Sequence, residues 1–325
     1  MCTAISFKSK DHYFGRTLDY EISFGEQIVI TPRNYSFDFC KQEALNQHFG
    51  IIGMATVVND YPLYFDAINE KGLAMAGLHF PGNAHYFKES LSKYNVAPFE
   101  FIPWILGQCS SVADARKILL QTNLIDISFS EDLPLSPLHW MITDKNESIV
   151  VESVVEGLRV YDNPVGVLTN NPPFEMQLFN LNNYMHLSTC PPKNNFLPKI
   201  PLVTYSRGMG AMGLPGDLSS VSRFIRATFV KYHSICDMNE EESVSQFFHI
   251  LGAVEQQRGC VQTEYNQHEI TRYTSCCNLE QGIYYYTTYE NSRISAVELE
   301  NHDIMGDKLI LYPLRIKSDF LYEGH

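Results

Sequence analysis

Cys2 stands directly behind the initiator methionine, and its type and position allow a specific chemistry. Because cysteine is small, we expect Met1 to be removed, which leaves a thiol and a free α-amino group on one residue. Unperturbed pKa values are about 8.5 for the thiol and about 7.7–8.0 for the amine, so the amine can take the thiol proton near neutral pH. Such a residue carries a nucleophile and its own base. A cysteine at this position also occurs without a catalytic role, so other residues must show whether Cys2 is catalytic.

The segment after Cys2 predicts a β-hairpin that brings charged side chains back to it. Residues 3–7 alternate polar and apolar types, as a half-buried strand does, and residues 13–19 form a returning strand after a short turn. A hairpin of this length places Arg16 and Asp19 beside Cys2. The alternative is that the two charged side chains are solvated or paired with each other.

Three further residues are candidates for a catalytic site. Asn170 follows the predicted strand 165–169, and an amide there can donate to a developing oxyanion, a contact worth about 2.7–4 kcal/mol of barrier. It can equally be a turn former before proline. Arg223, near the start of a predicted helix, can reach a carboxylate or form an ordinary salt bridge. His79, at a strand end, can be a general base, a pocket wall or a backbone-bonded histidine.

Composition and charge exclude several classes of partner. The 325 residues carry a formal net charge of −13, which argues against nucleic acid and anionic membranes. No apolar run approaches the roughly 18 residues of a membrane span, and charged residues interrupt the N-terminus where a signal peptide would be apolar. We therefore expect a cytoplasmic protein. An anionic substrate would need locally placed Arg or Lys.

The cysteines indicate free thiols and no metal site. No Cys-x-x-Cys pair occurs, and no spacing matches a zinc site. Scattered cysteines of this kind are typical of buried free thiols in a reducing compartment. The eight are Cys2, Cys40, Cys109, Cys190, Cys236, Cys260, Cys276 and Cys277.

The order of predicted elements favours an α+β fold in a single domain spanning residues 1–325. Antiparallel strands come first, then two helices, strands, two more helices and strands again, an order typical of antiparallel sheets covered by helices. The predicted helices span 98–106, 111–120, 221–233 and 241–257. Residues 170–218, rich in Asn, Pro and Gly, are predicted to be a long functional loop.

Taken as a set, these residues resemble the choloylglycine hydrolase family, which comprises bile salt hydrolases and penicillin V acylases. The resemblance runs from end to end, with the motifs in order. They are Met1-Cys2-Thr3, Arg16-x-x-Asp19, Asn69-Glu70-Lys71-Gly72-Leu73, Ala76-Gly77-Leu78, Leu138-His139-Trp140, Gly166-Val167-Leu168-Thr169-Asn170, Gly213-Leu214-Pro215-Gly216-Asp217, Ser222-Arg223-Phe224 and Tyr284-Tyr285-Tyr286.

The resemblance implies an N-terminal nucleophile hydrolase with a four-layer αββα sandwich, cleaving an amide bond without metal or cofactor. Cys2 would be the nucleophile and its α-amine the base and acid. Arg16 and Asp19 would flank and orient them, and Asn170 would give its side-chain amide to the oxyanion hole. Arg223 would belong to the charge network of the site. The resemblance also suggests a homotetramer.

His79 departs from the family pattern, in which bile salt hydrolases usually have Asn and penicillin V acylases tend to have Tyr. The backbone N–H of this position is implied to complete the oxyanion hole, and His keeps that donor. The departure therefore bears on substrate preference rather than on reaction type. The implied acyl pocket is apolar and matches Leu18, Tyr20, Phe65, His79, Phe129, Leu133 and Leu138.

The resulting expectation is a hydrolase of conjugated bile salts that releases glycine or taurine from a steroid acid. An apolar pocket of Phe, Tyr and Leu suits a rigid steroid. The alternatives of the same class are a penicillin V acylase and a broad N-acyl amidase or acyl homoserine lactone acylase. The alternative from another class is a catalytically silent sterol-binding protein.

Overall fold

The computed structural model describes residues 1–324 and consists mainly of antiparallel β-strands. The strands are β1 (Cys2–Lys8), β2 (His12–Tyr20), β3 (Gln27–Thr31), β4 (Ile51–Val58), β5 (Tyr61–Asn69), β6 (Ala74–His79), β7 (Tyr94–Val96), β8 (Thr122–Leu124), β9 (Leu138–Thr143), β10 (Ser148–Val154), β11 (Gly157–Asp162), β12 (Val167–Leu168), β13 (Ile270–Asn278), β14 (Ile283–Thr288), β15 (Ser295–Glu298) and β16 (Ile310–Pro313). The helices are α1 (Phe101–Gln108), α2 (Val112–Leu119), α3 (Phe174–Asn180), α4 (Ser220–His233) and α5 (Glu240–Gly252).

Two large sheets form the centre of the molecule. The first has the order β12-β1-β2-β13-β14-β15, and the second has the order β11-β10-β9-β6-β5-β4-β3-β16. Strands β7 and β8 form a separate parallel pair. The hairpin β1–β2 lies inside the six-stranded sheet, so the first residues of the chain are held by neighbours on both sides.

Helices cover the outer face of each sheet, which gives four layers. Helices α4 and α5 pack on strands of the six-stranded sheet, and α1 packs on β4, β5 and β6 of the eight-stranded sheet. One apolar core joins the facing sheets and α4 and α5, and a second lies between the eight-stranded sheet and α1 and α2. The predicted α+β class and αββα sandwich are confirmed.

The predicted hairpin is confirmed, and its register brings Cys2 opposite Leu18. Strand β2 is also paired with β13 on its other side, with Asp19 opposite Thr271. The alternating pattern predicted that β1 would be half-buried, but both faces of the strand are buried from Cys2 through Phe7. A strand in the middle of four layers contacts the second sheet on one face and helices on the other.

The prediction of a long loop at residues 170–218 is wrong in its first part, where α3 forms. Pro173 precedes the first helical residue, where its fixed φ and missing N–H are tolerated. Phe174 is fully buried in the core, and Leu178 packs against the same core. Two apolar residues one turn apart therefore give this short helix a buried side despite the surrounding Asn and Pro residues.

Helix α5 also ends earlier than predicted, at Gly252 instead of 257. The chain turns there because the N–H of Gln256 donates to the Thr271 hydroxyl of β13, at 2.8 Å, and leaves the helical path. Within residues 1–324, no helix has the length and apolar character needed to cross a membrane.

Gly15 provides a test of how closely β2 and β13 are packed. An alanine Cβ at this position would lie 2.0 Å from the carbonyl oxygen of Ser275, a backbone atom that cannot move aside. We expect Gly15→Ala to lower the free energy of unfolding by about 3 kcal/mol or more, measured by urea denaturation. Gly252→Ala is the matched control, because no atom lies within 4 Å of its Cβ, and should raise stability by up to about 1 kcal/mol. Equal effects would contradict the packing described.

Candidate active site

Three polar side chains surround Cys2, which is 3% exposed at the start of β1. The guanidinium of Arg16 donates to the Cys2 sulfur through Nη2. The Cys2 backbone N–H donates to Oδ1 of Asn170 at 2.8 Å. The Cys2 carbonyl accepts from Nη1 of Arg223 at 2.5 Å. Every functional group of the residue is therefore held by a different partner, and these partners include three of the predicted site residues.

Arg16 is buried and oriented by backbone carbonyls. Its Nη1 donates to the oxygens of Gly77 at 2.5 Å and Phe65 at 3.2 Å, and its Nε donates to the oxygen of Thr17 at 3.2 Å. Burial alone would lower the pKa of Arg16, but the surrounding acidic groups outweigh it and raise that pKa above its ordinary value. The guanidinium is therefore a permanent positive charge beside the sulfur.

Asp19 pairs with Arg223 rather than with the Cys2 nitrogen. Its carboxylate accepts from the hydroxyls of Thr271 at 2.6 Å and Thr17 at 3.1 Å, and lies 3.8 Å from Nη1 of Arg223. Burial lowers the pKa of Arg223, and the Asp19 carboxylate opposes this effect. The two residues thus form a buried ion pair directly behind Cys2.

Asn170 connects Cys2, Arg223 and His79. Its Oδ1 accepts from Nη2 of Arg223 at 2.7 Å as well as from Cys2, and its Nδ2 donates to the carbonyl of His79 at 2.7 Å. The position follows directly on β12 and is tied to the first turn of α4, because the Asn170 N–H donates to the Ser220 hydroxyl. Burial lowers the pKa of His79, which favours its neutral form.

The structure describes the chain with Met1 in place, and Met1 occupies part of this site. Its ammonium donates to the carbonyl of Asp19 at 2.6 Å and forms an ion pair with Glu269. Burial raises the pKa of Glu269, and the ammonium opposes this effect. Glu269 was not predicted from the sequence, because it lies in the segment before β13, where a carboxylate carries no distinguishing pattern.

The predicted apolar pocket residues fall into two groups in the structure. Leu18 is buried opposite Cys2 in the hairpin. The rings of Tyr20 and Phe65 both contact Phe24, at centroid distances of 4.9 and 5.7 Å. Phe24 therefore joins Tyr20 and Phe65 into one aromatic cluster.

The second group lies further along the chain and has its own contacts. Phe129 packs against Phe99 and Tyr61, with centroids 5.2 and 5.9 Å apart. Leu133 is half-buried in the same loop, where its N–H donates to the Ser130 hydroxyl. Leu138 begins β9 and packs against the outer core under α1. Leu138 is also the cross-strand partner of His79, whose carbonyl accepts from Asn170.

Other sequence predictions can be compared directly with the structure. His139 is a buried structural histidine, bonded to Glu152 and to the Thr169 carbonyl and stacked on Phe80. All eight cysteines are free thiols as predicted, but only four of them are buried, namely Cys2, Cys109, Cys276 and Cys277. Among residues 1–324, no group of three or more His, Cys, Asp or Glu side chains is arranged to hold a metal ion.

A cavity of about 440 Å³ lies toward the far end of β1, away from the cluster just described. Ser6, Lys8, His12 and Lys231 are among its lining residues, and none of the residues that contact Cys2 belongs to it. The chemistry of the cluster around Cys2 therefore does not depend on this cavity.

Comparison with known proteins agrees with this geometry. A sequence profile of the linear amide C–N hydrolases, choloylglycine hydrolase family, matches residues 2–312. The chain belongs to this family. Its enzymes cleave linear amide C–N bonds, and the cluster around Cys2 contains a thiol, two arginines, a carboxylate and an amide, which are group types that such chemistry uses.

Relatives match over nearly the whole chain. A bile salt hydrolase/transferase from Lactiplantibacillus plantarum is 56% identical over 98% of this chain and 99% of its own length. A bile salt hydrolase/transferase from Clostridium perfringens is 40% identical over 96% of both chains.

Solved structures give the same result for the fold. The crystal structure of a cysteine-to-alanine mutant of the conjugated bile acid hydrolase from Clostridium perfringens superposes with a TM-score of 0.93 at 38% identity, covering 100% of both chains. A penicillin V acylase from Agrobacterium tumefaciens, 18% identical, shares the fold with a TM-score of 0.74 over 98% of this chain and 94% of its own.

The buried ion pair of Arg223 and Asp19 gives a prediction for stability. We expect Arg223→Met to lower the free energy of unfolding by about 3–5 kcal/mol, because it leaves Asp19 as an uncompensated buried charge. Arg226→Met is the control on the same helix, since Arg226 donates only to backbone carbonyls, and should cost about 1–2 kcal/mol. Urea denaturation of both variants measures this, and equal losses would argue against the pairing.

Proposed function

We propose that this chain hydrolyses the amide bond of glycine- or taurine-conjugated bile acids, with Cys2 as the nucleophile. The observation that carries the proposal is the set of contacts on Cys2, with Arg16 on the sulfur and Asn170 on the nitrogen. The same chain is 56% identical to a bile salt hydrolase/transferase over nearly its full length. Residues 1–325 act as one hydrolase domain.

Removal of Met1 frees the α-amine of Cys2, which is an amide nitrogen and no base while Met1 is attached. The freed amine takes the thiol proton, and Arg16 beside the sulfur favours the thiolate. Asp19, through its pairing with Arg223 behind Cys2, keeps the residue oriented. Glu269 and the Asp19 carbonyl, which hold the Met1 ammonium, remain close to the new terminus.

The thiolate attacks the amide carbonyl and forms a C–S bond, and the carbonyl electrons move onto oxygen. Asn170 has a second Nδ2 hydrogen besides the one given to His79, and donates it with the His79 backbone N–H to this oxyanion. The ammonium gives its proton to the leaving nitrogen as the C–N bond breaks, and glycine or taurine departs. Water then cleaves the thioester, with the same amine as base, and returns the thiol.

The steroid lies against an apolar surface formed by Leu18, Tyr20, Phe65, Phe129, Leu133 and Leu138, with His79 beside the reacting carbonyl. Burial of apolar area supplies affinity for the steroid at about 25 cal/mol per Å². Arg16 and Arg223 supply positive charge near an anionic substrate in a chain of net charge −13. The enzyme acts in the cytoplasm as a homotetramer, in which exposed apolar residues of segment 196–205 face neighbouring copies.

Release of the amino acid from a panel of substrates tests the proposal. The wild-type enzyme should release taurine from taurocholate and glycine from glycocholate. It should do so faster than it releases 6-aminopenicillanic acid from penicillin V or cleaves the amide bond of an acyl homoserine lactone. Cys2→Ala should lose turnover by a factor on the order of 10⁶, since it lacks the nucleophile.

Each other outcome of the panel would indicate a different function for this chain. Faster penicillin V cleavage would make the chain a penicillin V acylase, and faster cleavage of the amide bond of an acyl homoserine lactone would make it a broad N-acyl amidase or acyl homoserine lactone acylase. Binding of bile salt without release of an amino acid would make it a sterol-binding protein. Turnover by Cys2→Ala equal to that of the wild type would overturn the catalytic role of Cys2.

His79→Asn tests the side chain that departs from the family pattern. The variant keeps the backbone N–H, so we expect kcat for both conjugates to stay within about tenfold of the wild type. The ratio of kcat/KM for taurine and glycine conjugates should change, because a neutral imidazole beside the leaving group is replaced by a smaller amide. Loss of all turnover by folded His79→Asn would mean that the imidazole itself takes part in the reaction.

A further inference from the structure

We propose that Asp66 acts on Cys2 through Arg16, by balancing the positive charge of the guanidinium that contacts the Cys2 sulfur. The proposal rests on the function proposed above, in which Cys2 is the nucleophile. Asp66 lies in β5 of the eight-stranded sheet and is fully buried, whereas Arg16 and Cys2 belong to the six-stranded sheet. A fully buried carboxylate is rare unless it is paired, so we expect its partners among the groups around it.

Three hydroxyl groups point at the Asp66 carboxylate. Tyr273 donates to Oδ1 at 2.5 Å, and Tyr284 and Ser275 donate to Oδ2 at 2.6 and 3.0 Å. The two tyrosine contacts have the short length of hydrogen bonds to a charged oxygen. Burial raises the pKa of Asp66, and Arg16 and the three hydroxyl groups oppose this effect by stabilising the ionised form. Asp66 is therefore a buried negative charge held by three neutral donors.

Two links connect this charge to Arg16. The Ser275 hydroxyl that donates to Asp66 accepts from the Arg16 backbone N–H at 3.1 Å. The carbonyl of Phe65, the residue before Asp66, accepts from Nη1 of Arg16. The strand that carries Asp66 thus contacts the guanidinium on one nitrogen, while the other terminal nitrogen contacts the Cys2 sulfur.

The charges of these groups complement one another. The hydrogen bonds that the Arg16 guanidinium donates to oxygen atoms of residues 1–324 go to the uncharged carbonyls of Thr17, Phe65 and Gly77. The carboxylates of Asp66 and Asp19 act on it through space, and both stabilise the guanidinium. Burial raises the pKa of Asp66, and Arg16 is the largest effect that opposes it. Each charge therefore compensates the other.

This balance matters for the sulfur. A guanidinium without a compensating charge would favour the Cys2 thiolate more strongly. An overstabilised thiolate is a weaker nucleophile, because nucleophilicity falls as the acidity of the thiol rises, with a Brønsted slope of about 0.4–0.5. Asp66 thus keeps the sulfur reactive by limiting the effect of the guanidinium on it.

A purely structural role must be separated from this one, since Asp66 also bonds one sheet to the other. Stability alone is therefore not a sufficient measurement. The pH dependence of Cys2 alkylation by iodoacetamide separates the two roles, because only the thiolate reacts. Modification of the Cys2 peptide in the processed enzyme is followed by mass spectrometry, with circular dichroism as the check on folding.

We expect Asp66→Asn to move the midpoint of Cys2 alkylation downward by about one pH unit. The alkylation rate constant at high pH should fall about threefold, as the Brønsted slope requires for one unit. Tyr285→Phe is the matched control, because its hydroxyl donates to Glu240 on α5 and not to Asp66. It should leave both quantities unchanged. A folded Asp66→Asn protein with the wild-type midpoint would overturn the proposal.

A second variant keeps the test decisive if Asp66→Asn does not fold. Tyr273→Phe combined with Tyr284→Phe removes two donors and favours protonated Asp66, so the midpoint should move in the same direction by a smaller amount. An unchanged midpoint in this folded variant would equally contradict the proposal. The alkylation measurement needs no bile salt. Failure of the enzyme to cleave conjugates would therefore count against the proposed substrate and would not affect the test of Asp66.

Discussion

The contacts on the first residue of β1 are the constraint on which the rest of this structure depends. A terminal residue normally frays, yet the nitrogen, carbonyl and sulfur of Cys2 each have a buried partner, from Asn170, Arg223 and Arg16. These partners come from β2, from the end of β12 and from α4, so they meet only when the six-stranded sheet and its helix layer are assembled. Folding and formation of the site are thus the same event, and the orientation of Cys2 is obtained before any substrate binds.

Charge balance explains why this cluster can be buried at all. Two arginines with no water around them would cost several kcal/mol each if they were unpaired. Asp19 lies behind Cys2 and compensates Arg223, and Asp66 reaches across from the second sheet and compensates Arg16. Hydroxyl groups of threonine, serine and tyrosine satisfy the remaining carboxylate oxygens. The first of these charge pairs lies between β2 and α4, and the second lies between the two facing sheets.

Local pattern predicted those parts of the molecule that local sequence determines. The alternation in residues 3–7 and 13–19 defined the hairpin, and its register brought Arg16 and Asp19 to Cys2. Asn170 and Arg223 lie 168 and 221 residues from Cys2. Their positions made them candidates, but a turn former and an ordinary salt bridge were equally compatible with the pattern, and the family resemblance favoured the catalytic role. Asp66 was not predicted, because its hydroxyl partners are more than 200 residues away. Helix α3 was not predicted because the Asn and Pro residues around it indicated a loop, and its two core-packed side chains, Phe174 and Leu178, give only a short apolar pattern.

The account makes one residue supply both sulfur and base, and the state of its nitrogen tests this most directly. Two preparations are compared on a conjugated bile salt, one beginning at Cys2 and one with a single uncleaved residue ahead of it, each verified by intact mass. In the second, the Cys2 nitrogen is an amide and cannot accept a proton, while Arg16 can still contact the sulfur as it does here. We predict turnover only by the chain that begins at Cys2. Equal turnover by both would contradict the account.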